Sequence, residues 1–124
     1  MPPPTIEELL TEHRETIVRW GDEMERIGER GAPRRANKLF VRMHAQFKVL
    51  RESHEGRVGI TTMIRDSNYY VASHCAAHSL LWEPGRAIEA LEALQGSTEA
   101  PPTVRISAGV TLQEWRAGNL NLDW

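Results

Sequence analysis

The stretch 56–82 constrains the fold more than any other part of this chain. Its second half has almost no polar side, and the apolar residues there are Val71, Ala72, Cys75, Ala76, Ala77, Leu80, Leu81 and Trp82. A helix that is apolar all round has to be buried between neighbours. No apolar run approaches the ~18 residues that a membrane span needs. The neighbours are therefore expected to be other helices of this chain.

A polar turn precedes that helix. Asp66, Ser67 and Asn68 have side chains that bond to nearby backbone groups and favour turns and helix N-caps. Before the turn, apolar residues at Val58, Ile60, Met63 and Ile64 have helical spacing. Two helices joined by a tight turn are thus predicted.

The first half of the chain predicts a helical hairpin. Thr5 and Glu8 form a capping box, and an amphipathic stripe follows at Ile6, Leu9, Leu10, His13, Ile17, Trp20, Met24 and Ile27. Gly28 and Gly31 are expected to end this helix, with Pro33 in the first turn of the next. The second helix has an apolar stripe at Ala36, Leu39, Phe40, Met43, Phe47 and Leu50.

The last third predicts two more helices around the loop 96–102. The fifth helix has a stripe at Ala87, Ile88, Leu91 and Leu94. Thr103 is the expected cap of the sixth, which turns Val104, Ala108, Leu112 and Trp115 inward and ends at Gly118. No segment alternates like a strand, so the predicted fold class is all-α with about six helices.

The chain also shows a weak internal sequence similarity. An offset of 33 residues places Val71 on Val104, Cys75 on Ala108 and Trp82 on Trp115. Such a period is typical of stacked helix pairs. We expect one helical-repeat domain over 1–124: a flexible leader 1–4, a hairpin 5–53, repeat-like pairs 56–95 and 84–117, and a tail 118–124.

The packing motifs resemble a known type of unit. They are Gly56-Arg57, Asp66-x-Asn68, Val71, Ala76-Ala77, Leu80-Leu81, Pro84 with Ala87, and Leu112-x-x-Trp115. In these positions the chain resembles a small bacterial family of HEAT or armadillo-like proteins of unknown function. The resemblance implies a short α-solenoid and brings no catalytic residues. Small helical proteins of this kind are often immunity or adaptor proteins encoded beside the gene of their partner, so the resemblance implies such a protein here.

Composition sets further bounds. Apolar residues make up 40% of the 124 residues and charged residues 26%, as in globular domains. The net charge of −2 gives no reason to expect nucleic-acid binding. One cysteine suits a reducing compartment, and the start has no secretory pattern. We therefore expect a cytoplasmic protein without nucleic-acid or membrane partners.

Charge is unevenly distributed along the chain. Residues 1–31 hold eight acids and four bases, whereas residues 32–65 hold eight bases and two acids. One interpretation is an acidic helix packed beside a basic one. The other is a basic face for an acidic partner.

His74, Cys75 and His78 are the residues that most resemble a chemical site. His74 and His78 share one helix face, but at ~100° per residue Cys75 points away from them. No third ligand has metal-site spacing, and no nucleophile or phosphate-loop motif occurs. We expect no catalytic residue, no metal site and no cofactor, and a His-based metal-dependent enzyme remains an alternative.

A binding surface is the better prediction. The second helices of stacked pairs share one face, and tyrosine and arginine often anchor interfaces. The candidate partner-binding residues are Tyr69, Tyr70, Ser73, His74, His78, Arg105, Gln113, Arg116, Arg34, Lys38 and Arg42. The terminal Trp124 is either docked on the core or available to a partner.

The functional hypothesis is a non-catalytic protein-binding module. Its specific form is a bacterial immunity or antitoxin-type protein that binds and occludes a cognate toxin or other effector. The main alternative is a self-assembling adaptor or scaffold, in which two copies of the chain form a homo-oligomer. Light scattering separates these, because a concentration-independent monomer excludes self-assembly.

Overall fold

The computed structural model describes residues 2–122. Within that range the chain forms six α-helices and a 3₁₀ turn, Met63–Arg65, and no strand. The helices are α1 (Ile6–Glu25), α2 (Ala32–Leu50), α3 (His54–Thr62), α4 (Tyr69–Ser79), α5 (Pro84–Gln95) and α6 (Pro102–Arg116). The prediction of an all-α fold is confirmed. Among these helices, none is both long and apolar enough to cross a bilayer.

The chain divides between Gly59 and Ile60 into two compact units. In the first unit α1 packs against α2. In the second, α5 packs against both α4 and α6, and α4 also contacts α6. The predicted single repeat domain and its helix pairing stay predictions.

The start of α1 follows the predicted capping box. The Glu8 backbone N–H donates to Thr5 Oγ1 at 3.1 Å, and the Thr5 N–H donates to Glu8 Oε1 at 3.2 Å. Each bond satisfies a backbone donor that the helix itself leaves without an acceptor.

The end of α1 differs from the prediction. The helix ends at Glu25, so Ile27 lies in the connection and is 44% exposed rather than buried. Gly31 has φ +83° and is the N-cap of α2. The residues between Glu25 and this left-handed glycine form the reversal between α1 and α2. The apolar stripe of α1 is therefore shorter than predicted. Pro33 lies in the first turn of α2, as predicted.

The core side of α2 is close to the predicted stripe. Ala36, Met43, Phe47 and Leu50 are buried. Phe40 was expected among them but is 36% exposed, because it lies at the edge of the stripe by helical geometry. Its ring lies against Trp20, with ring centroids 6.3 Å apart.

A polar relay joins the buried faces of α1 and α2. The His13 Nδ1–H donates to Gln46 Oε1 at 2.8 Å, and Gln46 Nε2–H donates to Thr16 Oγ1 at 2.9 Å. This tautomer of His13 follows from the orientation of the Gln46 amide. Burial lowers the pKa of His13, and the Gln46 hydrogen bond opposes that shift only in part.

The depressed pKa of His13 predicts a pH-dependent stability. Below pH ~6.5 the unfolded chain takes up a proton at His13 that the folded chain does not. The free energy of unfolding should therefore fall as the pH is lowered from 7.5 to 5.5, by at most about 1.4 kcal/mol per pH unit from this residue. Urea unfolding across this range should show a shallower dependence for His13→Gln than for the wild type. His54→Gln, at an exposed position, is the control and should keep the wild-type slope; equal slopes for the wild type and His13→Gln would contradict the assignment.

The helix α4 begins at the predicted polar turn. Asn68 Oδ1 accepts hydrogen bonds from the backbone N–H groups of Tyr70 and Val71 at 2.9 and 3.1 Å. Asp66 Oδ1 accepts from the Asn68 N–H at 2.9 Å. This network fixes where the helix starts.

The predicted burial of α4 holds for most of its length. Val71, Ala72, Cys75 and Ala76 are buried. Leu81 was expected in the same helix but is 42% exposed, because α4 ends at Ser79. In the turn that follows, the Trp82 Nε1–H donates to Thr61 Oγ1 at 2.8 Å.

The core side of α6 agrees with the prediction, but its start does not. Val104, Ala108 and Leu112 are buried. Thr103 is not the cap, because α6 begins at Pro102, whose fixed φ suits a first helical position. At the other end, Gly118 (φ +74°) closes α6 as predicted.

Candidate binding surfaces

The two tyrosines of α4 have different surroundings. Tyr69 is partly exposed, and its hydroxyl donates to Glu99 Oε2 at 3.4 Å. Tyr70 is only 8% exposed, and its hydroxyl lies 2.8 Å from Thr103 Oγ1. The prediction of Tyr70 as a partner-binding residue does not suit this position, because the ring is part of the packing between α4 and α6.

The histidines of α4 pack against each other. The rings of His74 and His78 meet edge to face, with centroids 4.4 Å apart. His78 is only 7% exposed, so it offers a partner little surface. Ser73 is partly exposed. Burial raises the pKa of the Cys75 thiol, with a further contribution from Asp66, which keeps this thiol protonated and poorly nucleophilic. Within residues 2–122 no three His, Cys, Asp or Glu residues are placed to hold a metal ion.

The outer face of α6 is the most open candidate. Ile106 is 67% exposed and Val110 is 52% exposed, and the two lie one turn apart. Together with Arg105 and Gln113 they line a groove of about 540 Å³ between α5 and α6. Arg105 and Gln113 were predicted from the sequence, whereas the two apolar residues were not. Their position two residues after the buried Val104 and Ala108 could have revealed them, since it puts them on the opposite side of the helix.

The polar groups of this groove, which we call the α6 groove, differ in their partners within the described residues. The Arg105 Nε is shielded from solvent and has no hydrogen-bond partner among the described residues. Gly109 lies on the groove, and a Cβ there would come within 2.8 Å of Gln95 Nε2. Arg116, the third predicted residue of α6, donates to Glu92 Oε2 at 3.3 Å and is 56% exposed. Of the arginines on α6, Arg105 is thus the one without an acidic partner in the described part of the chain.

The predicted basic stripe of α2 is divided in the structure. Lys38 and Arg42 line a groove of about 360 Å³ between α1 and α2, whereas Arg34 is exposed and does not line it. The groove also contains three basic residues that were not predicted as binding residues: Arg19, Arg26 and Arg35. We call it the α1–α2 groove. Trp124, which was predicted to be either docked on the core or available to a partner, lies outside the described residues.

Comparisons with known proteins support the fold and name no activity. No protein-family model matches the chain, and no curated protein matches it. By its helices the protein belongs to the class of small all-α proteins. Among solved structures, the protein RPA1889 from Rhodopseudomonas palustris CGA009 is similar, with a TM-score of 0.81 and 24% sequence identity. The match covers 94% of this chain and 93% of that one.

Proposed function

We propose that the protein is a non-catalytic binding module that holds a protein partner in the α6 groove. The observation that carries this proposal is the exposed pair Ile106 and Val110 beside Arg105, which has no acidic partner within residues 2–122. Protein interfaces commonly combine an apolar centre with arginine and a polar rim. Gln95 and Gln113 supply such a rim here.

The chemistry of the groove defines the segment that would fill it. Burying Ile106 and Val110 favours a partner with aliphatic or aromatic side chains, at about 25 cal/mol per Å² of apolar area removed from water. Arg105 favours a carboxylate next to those side chains, because a guanidinium forms strong charge-assisted hydrogen bonds with a carboxylate and the Nε of this one is shielded from solvent. The expected partner is therefore a protein segment in which an acidic residue neighbours an apolar one.

The specific form of this proposal is an immunity or antitoxin-type protein. The small size of the chain, the absence of a catalytic motif from its sequence and its charge asymmetry motivate this form. It predicts that the partner is toxic when produced alone and harmless when the two proteins are produced together. Self-assembly is the competing outcome, in which the captured partner is a second copy of this chain.

The test is quantitative capture of partners from the native host. Ile106→Asp places a charge at the centre of the groove, and Val41→Asp is the matched control because Val41 is 62% exposed on α2. We expect one stoichiometric partner with the wild type and the control, and a loss of about tenfold or more with Ile106→Asp. Both variants should melt like the wild type, since both positions are exposed. Equal recovery with Ile106→Asp would contradict the proposal, and a doubled mass in light scattering would favour self-assembly.

A further inference from the structure

The α1–α2 groove has an unbalanced charge. Its lining contains five basic residues, Arg19, Arg26, Arg35, Lys38 and Arg42, and two acidic residues, Asp22 and Glu23. The whole chain carries a net charge of −2, so this excess is local. Such a cluster favours the binding of an anionic ligand, because a cleft with an excess of one sign of charge focuses the electrostatic field.

The acidic residue Glu23 is already engaged. It is 8% exposed, and its carboxylate oxygens lie 2.9 Å from Arg35 Nε and 3.3 Å from Arg26 Nη2. The Arg35 ion pair joins α2 to α1, whereas the Arg26 ion pair lies within the C-terminal end of α1, where Arg26 is the C-cap. The carboxylate therefore orders part of the basic cluster, and Asp22 is the one other negative charge in the lining beside the three remaining cations.

The remaining cations of the groove are not bound by any side chain in the described part of the chain. Arg19, Lys38 and Arg42 form no ion pair or side-chain hydrogen bond within residues 2–122. Leu39 lines the same groove, and an apolar wall strengthens the interaction of these cations with a bound anion. Three cations from two helices thus face one opening.

We infer that the α1–α2 groove binds a phosphate group through Arg19, Lys38 and Arg42. Three positive charges exceed what one carboxylate neutralises, whereas a phosphate group carries up to two negative charges and several acceptor oxygens. Arginine matches such oxygens with two parallel N–H donors, and lysine adds a mobile point charge. A water takes about 30 Å³ in the liquid, so a groove of about 360 Å³ has room for phosphate or pyrophosphate. This site is on the first unit and does not depend on the proposed function of the α6 groove.

The experiment titrates the full chain with inorganic pyrophosphate by calorimetry and by NMR. We expect saturable binding, with the largest amide shifts at Arg19 and from Lys38 to Arg42. Inorganic phosphate and O-phosphoserine, titrated in parallel, distinguish a free phosphate from one carried on an organic group. Tricarballylate is the carboxylate control, and tighter binding of tricarballylate than of pyrophosphate would overturn the inference in favour of a carboxylate site.

Two double variants separate a local site from general attraction. Lys38→Gln with Arg42→Gln removes one lysine and one arginine from the groove. Arg34→Gln with Lys48→Gln removes the same charges from exposed positions of α2 outside it. We expect the first pair to weaken pyrophosphate binding by about tenfold or more and the second by less than about twofold.

Three further results would overturn the inference. They are an absence of saturable pyrophosphate binding, an equal loss of affinity in both double variants, and amide shifts centred away from the groove. The NMR result on the wild type decides the question even if the first double variant is poorly folded.

Discussion

Ala76→Asp is expected to unfold the protein or to lower its free energy of unfolding by roughly 3 kcal/mol or more. Ala76 lies in the middle of α4 and has no exposed surface. A carboxylate there would lose its hydration without gaining a partner, and its larger side chain would force α4 away from its neighbours. The raised pKa of the adjacent Cys75 thiol reflects the same desolvation.

Chemical denaturation measures this effect directly. Ala45→Asp is the control, because Ala45 is exposed in the interior of α2. Its cost should stay below about 1 kcal/mol, the difference in helix propensity between the two residues. A wild-type denaturation midpoint for Ala76→Asp would mean that α4 is not buried.

Gly56→Ala is expected to destabilise the protein by about 1–3 kcal/mol, although alanine is the better helix former by about 1 kcal/mol. Gly56 is buried in α3, and an added Cβ would overlap the carbonyl oxygen of Leu50 and lie 2.8 Å from its carbonyl carbon. The obstacle is backbone, so no side-chain rotation relieves it. The Gly56 N–H also donates to Ser53 Oγ at 3.0 Å, which ties it to the connection after α2.

Gly85→Ala makes the opposite prediction and serves as the control. Gly85 lies in α5, and a Cβ there meets nothing within 4 Å. Since only helix propensity changes, this variant should be as stable as the wild type or more stable by up to about 1 kcal/mol. Thermal or urea unfolding should therefore show a lower midpoint for Gly56→Ala and an equal or higher midpoint for Gly85→Ala. A stabilising Gly56→Ala would show that α3 does not pack closely on the end of α2.

Local chemistry made much of the fold predictable. The capping box of Thr5 and Glu8 and the turn before α4 depend on neighbours three residues or fewer apart, so their pattern is visible in sequence. The burial of α4 was equally clear, because a helix without a polar face has few alternatives.

The wrong predictions of burial concern residues in the connections between helices and residues at the edges of apolar stripes. Ile27 and Leu81 continue apolar patterns, but α1 and α4 end before them. Phe40 has a stripe position that is too far from the centre of the interface to be buried. Periodicity gives a direction around a helix and not the residue at which the helix stops.

The candidate sites were harder to predict for a related reason. Lys38 and Arg42 could be paired by their spacing on one helix, whereas Arg19 joins them from α1 through tertiary packing. Tyr70 was expected at a surface, but its partner Thr103 lies 33 residues later in the chain. Spacing within an element identifies neighbours on that element and says little about those across an interface.

The most direct test of the proposed function is photo-crosslinking in the native host. A photoreactive benzoylphenylalanine would replace Val110 in the α6 groove or, as the control, Val49 on α2, which are 52% and 54% exposed. We predict one discrete crosslinked protein from position 110, absent from position 49 and lost when Arg105→Glu is added. No crosslink from position 110, or the same products from both positions, would contradict the assignment of the α6 groove as the partner-binding surface.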